Sequence, residues 1–279
     1  MLTNSEKIIL TQMKEWENEQ LQIIPNDFLR TYDTWIEDAF TKLPEKAQIK
    51  FFHELDSWLF YIHAAIQQSK SFDERVEHIL NEARLTNESI QYITDLKYLP
   101  INRLNYYADR QISMHKLFSL IQGGVSGAGG TLFLGLDIPS VLVINLRAIQ
   151  LIATTYGYDT KNPFEMMISL KLFHCATLPK RFQKQAWDSL LEEVNNGEES
   201  FFYEGNEQIS DVAWLNQPLL QILKIWTILL CKKRKQQNIP FASMAIGASF
   251  NYSMTKNITQ LSKRFYQYRN LLEKAKDEE

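Results

Sequence analysis

Residues Gly124-Val-Ser-Gly-Ala-Gly129-Gly130-Thr131 have the spacing of a phosphate-binding loop, G-x-x-x-x-G-x-T. That loop holds phosphates on its backbone N–H groups, needs a lysine before the final hydroxyl residue, and follows a strand. Gly130 stands in the lysine's place, and the run before the loop, Met114 to Ile121, reads as helix. A nucleophile elbow around Ser126 needs glycine two residues on, where Ala128 stands. A dinucleotide fingerprint beginning at Gly127-Ala-Gly129 fails at Leu132, its third glycine position. The glycines fit helix packing better. Gly123 and Gly127, Gly124 and Ala128, and Ser126 and Gly130 are each four apart, and small residues so spaced let a second backbone approach one helical face.

Asp137 and Arg147 are the only charges between Leu117 and Tyr158. Buried together, they must pair, because an uncompensated charge in an apolar interior is costly. They could cap and brace the stretch, or form a polar site for a headgroup or small anion. His53, His63, His78, His115 and His174 form no metal signature, and Glu74 with His78 lacks the H-E-x-x-H pattern. His174-Cys175 are adjacent, whereas catalytic Cys–His pairs come from positions distant in sequence. No metal and no cofactor is expected. Further on, Pro218 to Cys231 is an apolar run too short to span a bilayer, and it ends in Lys232, Lys233, Arg234 and Lys235. Cations suit a helix C-terminus. Beside an anionic leaflet they would also contribute about 1 kcal/mol each. No nucleic-acid-binding module accompanies the patch, so a nucleic-acid partner is not expected.

The 279 residues suffice for a large helical core, and charge is unevenly placed along them. Residues 1–100 carry 10 Lys+Arg against 17 Asp+Glu (net −7), residues 101–210 carry 9 against 11 (net −2), and residues 211–279 carry 11 against 5 (net +6). A basic C-terminal third suits an anionic surface. Two cysteines, Cys175 and Cys231, give no disulfide framework and imply a reducing compartment. No secretion or lipidation signal is read at the termini, so a cytoplasmic protein is expected.

The periodicity is helical nearly throughout, with no hairpin of alternating strands. Helices are predicted over residues 5–20, from Pro44 to about Gln68, and through Arg84 from a capping box of Ser71 and Glu74. Shorter helix is expected over 88–98, then a long helix from Pro100 into the glycines. Six of the ten glycines fall in the next stretch, at 123, 124, 127, 129, 130 and 135. The stretch is expected to form two segments, about Leu117–Leu136 and Pro139–Tyr156. Asp137 would be the N-cap and Gly157 the C-cap of the second. Helices from Asn162-Pro163 to Cys175, Pro179 to Asn195, Pro218 to Gln237 and Asn251 to Lys276 follow, with a loop at 196–210 and a short apolar segment after Pro240. Segment 117–136 is nominally long enough to cross a bilayer, but its glycines, serines, threonine and glutamine weaken insertion, and Arg147 burdens the second segment. A buried core or a shallow hairpin is expected rather than two spans.

Taken together, the glycine-rich Gly123–Gly135 run, Asp137-Ile-Pro139, Arg147 and Tyr156-Gly157-Tyr158-Asp159 resemble the EcsC family of bacterial proteins. Ile239-Pro240, Gly247, Asn251 and a final helix with Tyr268-Arg269 extend the resemblance, which covers about residues 45–275. Phe241-Ala-Ser243 stands where the family's glycine after the second proline is usual. The resemblance implies a helical, cytoplasmic or membrane-associated protein linked to an ABC transporter operon. Some members carry hydrolase or proteinase labels without an agreed catalytic set.

The expectation is therefore an all-α protein: an acidic helical extension over 1–44, and a multi-helix domain over 45–279 built around a glycine-rich apolar hairpin. The expected function is that of a membrane-proximal, non-enzymatic accessory protein on the inner face of the cell membrane. Its partner would be an anionic membrane surface or a membrane protein such as an ABC transporter. Gly123, Gly124, Gly127, Asp137, Pro139, Arg147, Tyr156, Gly157, Tyr158, Asp159, Pro240, Gly247 and Asn251 are the functional candidates, and Lys232 to Lys235 the membrane contact. Two alternatives stand beside it. One is a hydrolase acting on lipid or peptide with Asp137, His174 or Ser126. The other is a soluble scaffold that dimerises through the glycine face. No oligomeric state follows from the sequence.

Overall fold

The computed structural model describes residues 3–21, 61–62, 64–128, 134–178, 180–196 and 240–276; at 20–21, 126–128, 134–139, 180–182, 196, 240–247 and 250 it describes backbone only. Among the described residues the fold is all-α, with no strand. Seven α-helices can be numbered: α1 (Asn4–Leu21), α2 (Lys70–Arg84), α3 (Ile101–Ala128), α4 (Leu134–Thr155), α5 (Pro163–Thr177), α6 (Lys180–Asn196) and α7 (Pro240–Lys276). A 3-10 helix, Ile93–Tyr98, separates α2 from α3. The helix from Pro44 falls mostly outside the described residues, which resume in helix at 61–62 and 64–67. The loop at 196–210, the helix over Pro218–Gln237 and Lys232–Lys235 also lie outside them.

Local sequence explains several boundaries. Thr3 and Glu6 make a reciprocal capping box that starts α1. Asn162 caps α5, its Oδ1 accepting from Phe164 N at 2.9 Å, with Pro163 as the first helical residue. At the end of α4, Tyr158 N donates to Ala153 O at 3.1 Å and Gly157 N to Thr154 O at 3.0 Å. These two bonds form a Schellman motif with Gly157 in the left-handed position at φ 88°.

Four expectations need correction. The capping box at Ser71 and Glu74 does not form: α2 begins at Lys70, and the N-cap is Ser69, whose hydroxyl donates backwards to Ile66 O. The 88–98 helix contracts to the 3-10 turn, where Asp95 Oδ2 accepts from the N–H groups of Gln91 and Tyr92. Asp137 is not an N-cap, because α4 starts one turn earlier, at Leu134. Pro139 is the sixth residue of α4, past the first turn, so it deprives the helix of the bond to Gly135 O, and α4 continues through it. Finally, the short apolar segment after Pro240 and the last helix are one 37-residue helix, α7.

α7 is the spine, packing against α3, α4, α5 and α1. α4 is the buried centre. Leu142, Leu146, Ala148, Ile149, Leu151, Ile152, Ala153 and Tyr156 are all fully enclosed. A helix apolar on every side must be covered on every side. Its buried polar groups turn inward to their own backbone: Asn145 donates to Val141 O, Thr154 to Gln150 O and Thr155 to Ile152 O. No helix among the described residues is long and apolar enough to cross a membrane.

Candidate functional site

The sequence-predicted residues separate into three groups. The first is the seam between α3 and α7, which run antiparallel. A Cβ added at Gly124 would meet Ala248 Cβ at 4.0 Å, an ordinary van der Waals contact, so Gly124 faces α7 with room for a methyl group. One turn back, Ser119 Oγ donates to Asn251 O at 2.8 Å, and Asn251 Nδ2 donates to Gln122 Oε1 at 2.6 Å. Asn251 is buried and acts as a cross-helix clasp. Gly123 and Gly127 share α3, Gly247 shares α7, and Pro240 is the first residue of α7. At Gly124 the small-residue face is therefore occupied by α7 of the same chain.

The second group surrounds the Tyr156–Asp159 turn. Tyr156 is buried and its hydroxyl donates to Asn105 Oδ1 at 2.7 Å, tying α4 to α3. Asp159 Oδ1 accepts from Lys161 N at 2.9 Å, closing the turn toward α5. Gly157 presses on the 3-10 helix, and a Cβ there would lie 2.7 Å from Lys97 N. Tyr158 is enclosed between two cations, with Arg269 at 4.0 Å and Lys97 at 4.2 Å from its ring centroid.

Arg269 in turn forms a buried two-pronged pair with Glu165, at 2.8 and 2.7 Å. Its Nε donates to Glu273 at 3.0 Å, and Glu273 accepts from Lys97 at 2.9 Å. Burial pushes Glu165 above the usual carboxylate range, and Arg269 offsets only part of that. Burial alone would lower Arg269, but the Glu165 charge outweighs it and holds the guanidinium firmly protonated. This chain of charges fastens the 3-10 helix, α5 and α7 around Tyr158. Lys97, Glu165 and Glu273 escaped sequence reasoning. The one local signal was the four-residue spacing of Arg269 and Glu273 on a helix.

The third group centres on Arg147, and here the expected pair is overturned. Asp137 and Arg147 lie on one helix ten residues apart, about 15 Å along its axis, too far to meet. Arg147 instead reaches α2, donating from Nη1 to Ser71 Oγ at 3.0 Å and from Nη2 to Ser71 O at 2.7 Å. Burial lowers Arg147, and the nearby Arg75 charge lowers it further. The charges of both arginines reach His115. Burial brings its imidazole down to about 4, with both positive charges adding to the effect. His115 meets Phe118 edge-on, with ring centroids 6.0 Å apart.

Phe118 belongs to a solvent-facing apolar row on α3. Leu117, Phe118, Leu120, Ile121 and Val125 are 41–60% exposed. No charge interrupts α3 after Lys116. Of the hydrolase candidates, His174 is half-buried in the last turn of α5, with burial bringing its imidazole to about 4. The side chains of Ser126 and Asp137 lie outside the described residues. Among the described residues no group of three His, Cys, Asp or Glu is placed to hold a metal ion.

Comparison with known proteins gives a consistent answer. The model of the EcsC protein family matches residues 7–271. The uncharacterized protein YdbA of Bacillus subtilis (strain 168) is 24% identical over 270 residues, covering 97% of this chain and 94% of that protein. Protein EcsC of the same organism is 21% identical over 202 residues, covering 72% of this chain and 78% of that protein. No solved structure matches.

Proposed function

This chain belongs to the EcsC protein family, and from that premise we propose that it is a membrane-proximal accessory protein rather than an enzyme. It docks on the anionic inner face of the cell membrane, where the partner class implied by the family resemblance is an ABC transporter. One observation carries the reading: the exposed row Leu117, Phe118, Leu120, Ile121 and Val125, left uncharged on a helix whose opposite face is fastened to α7. Apolar residues scattered singly over a surface need no explanation, but a contiguous row does. Such a row inserts at the level of the headgroups without spanning. The basic run Lys232–Lys235 would add electrostatic attraction to the same leaflet.

Vesicle flotation tests this directly. The purified chain should float with equimolar phosphatidylcholine and phosphatidylglycerol at low salt, and less at high salt. Phe118→Ser with Ile121→Ser should weaken flotation at both salt levels. Replacement of Lys232, Lys233, Arg234 and Lys235 by glutamine should remove the salt-sensitive part. A wild-type chain that floats with no vesicle at either salt level would overturn the proposal.

A further inference from the structure

The charges on α2 leave one arginine over. Asp73 pairs with Lys161 at 3.2 Å, Glu74 with Lys70 at 3.8 Å, and Glu77 with Arg84 at 2.7 Å. Glu82 is taken by Arg110 and His78. Among the described residues no carboxylate contacts Arg75 or Arg147. Yet Arg147 crosses from α4 to grip Ser71, and Arg75 lies one turn further along α2 on the Ser71 side. Two guanidinium groups thus gather at the N-terminal half of a helix, where the backbone dipole already favours negative charge. His115, on which both charges act, is held neutral and adds no third positive charge. Like charges drawn together without an acid are unfavourable unless an anion joins them. Arginine is suited to that anion when it is a phosphate, because its planar fork meets two phosphate oxygens at once. Ser71 Oγ accepts from Arg147, which leaves its own proton free to donate to the same phosphate.

We propose that Arg75, Arg147 and Ser71 form a phosphate-binding site, and that its ligand is the headgroup phosphate of an anionic phospholipid. Position supports the lipid source. The charges of both arginines act on His115, and His115 meets Phe118 edge-on at the border of the exposed apolar row. A lipid whose chains lie along that row would bring its phosphate to this edge. The lipid assignment rests on the membrane reading above, whereas the phosphate site stands without it.

The test uses the full chain, with Arg75→Gln alone and with Arg75→Gln plus Arg147→Gln. Arg75→Gln leaves the Arg147–Ser71 hydrogen bonds in place, so the fold should survive, as circular dichroism would show. The exposed Lys70→Gln on the same helix is the control for general charge. Inorganic phosphate should raise the Tm of the wild type above that in sodium chloride of equal ionic strength. Arg75→Gln should abolish the difference and Lys70→Gln should keep it. Partition onto phosphatidylglycerol vesicles should fall about 5-fold in the single variant and about 25-fold in the double variant. Loss of the phosphate effect with unchanged vesicle partition would overturn the lipid source and leave free phosphate as the ligand. No phosphate effect in the wild type, or an equal loss in Lys70→Gln, would overturn the site itself. If the wild type floats with no vesicle while the phosphate effect persists, the membrane reading fails and the site stands.

Discussion

The C-terminal half of α3 and the whole of α4 come from one continuous apolar stretch, yet they live in opposite surroundings. From Val141 to Tyr158 nearly every side chain is enclosed, including polar Asn145, Gln150, Thr154 and Thr155. From Leu117 to Val125 only the residues facing α7 are covered, and five apolar side chains face outward. Apolar composition alone therefore does not separate a core helix from a contact face. What separates them is whether the polar residues sit among neighbours or on one edge. In α3, Ser119 and Gln122 mark the edge gripped by α7, and the opposite edge is left apolar.

The sharpest way to break this contrast is to place one charge in each half. Leu146→Asp would bury an unpartnered carboxylate at a fully enclosed site and should cost more than about 4 kcal/mol, enough to prevent folding. Ile121→Asp, on the exposed row, should change stability by about 0.5 kcal/mol or less while reducing vesicle binding. Urea titration followed by circular dichroism reads both. An Ile121→Asp chain that fails to fold would mean the row is covered, and the contrast would collapse.

The next effect concerns the anchor that holds the enclosed half in place. Arg269→Met removes one partner of a buried two-pronged pair and strands Glu165, at an expected cost of about 3–5 kcal/mol. Adding Glu165→Met should recover part of that loss, because two apolar residues leave no orphaned charge. A double variant no more stable than the single one would show that the network matters through Glu273 and Lys97 instead.

Gly157→Ala probes the junction where α4 ends. The residue sits at φ 88°, which alone costs an L side chain about 1–2 kcal/mol. The added Cβ would also strike the Lys97 backbone, so a loss of at least about 2 kcal/mol is expected. The glycine cap at Gly157 and the helix start at Asn162-Pro163 were legible in the sequence, because both depend on residues within a turn of each other. All-helical class was legible for the same reason, since periodicity is local. Asp137–Pro139 reads as a break between the two apolar segments because a proline past the first turn loses a helical bond, yet α4 runs through it. Asp137 and Arg147, the only charges of the stretch, read as a pair if both are buried, but Arg147 binds Ser71. Its true contact, Ser71, is 76 residues away, and Glu165 lies 104 residues from Arg269. Neither spacing leaves a periodic trace, so the polar clusters needed the fold to become visible.

The smallest effect is the pH dependence that joins the two halves at His115. Its folded imidazole titrates at about 4, against an ordinary 6.5, because burial and the two arginines oppose the charged form. The unfolded chain therefore binds more protons between these values, and stability falls as pH drops from about 6.5 toward 4. At pH 5 the loss from this one group should be about 2 kcal/mol, with His174 contributing in the same direction. His115→Gln should flatten that part of the profile in urea titrations at pH 7 and pH 5 and leave the His174 part. Arg75→Gln should move the His115 titration upward in NMR while the helices stay intact, because one of the opposing charges is gone. A His115 titration that does not respond to Arg75 would separate the arginine pair from the Phe118 edge. The phosphate site would then lose its place beside the exposed row.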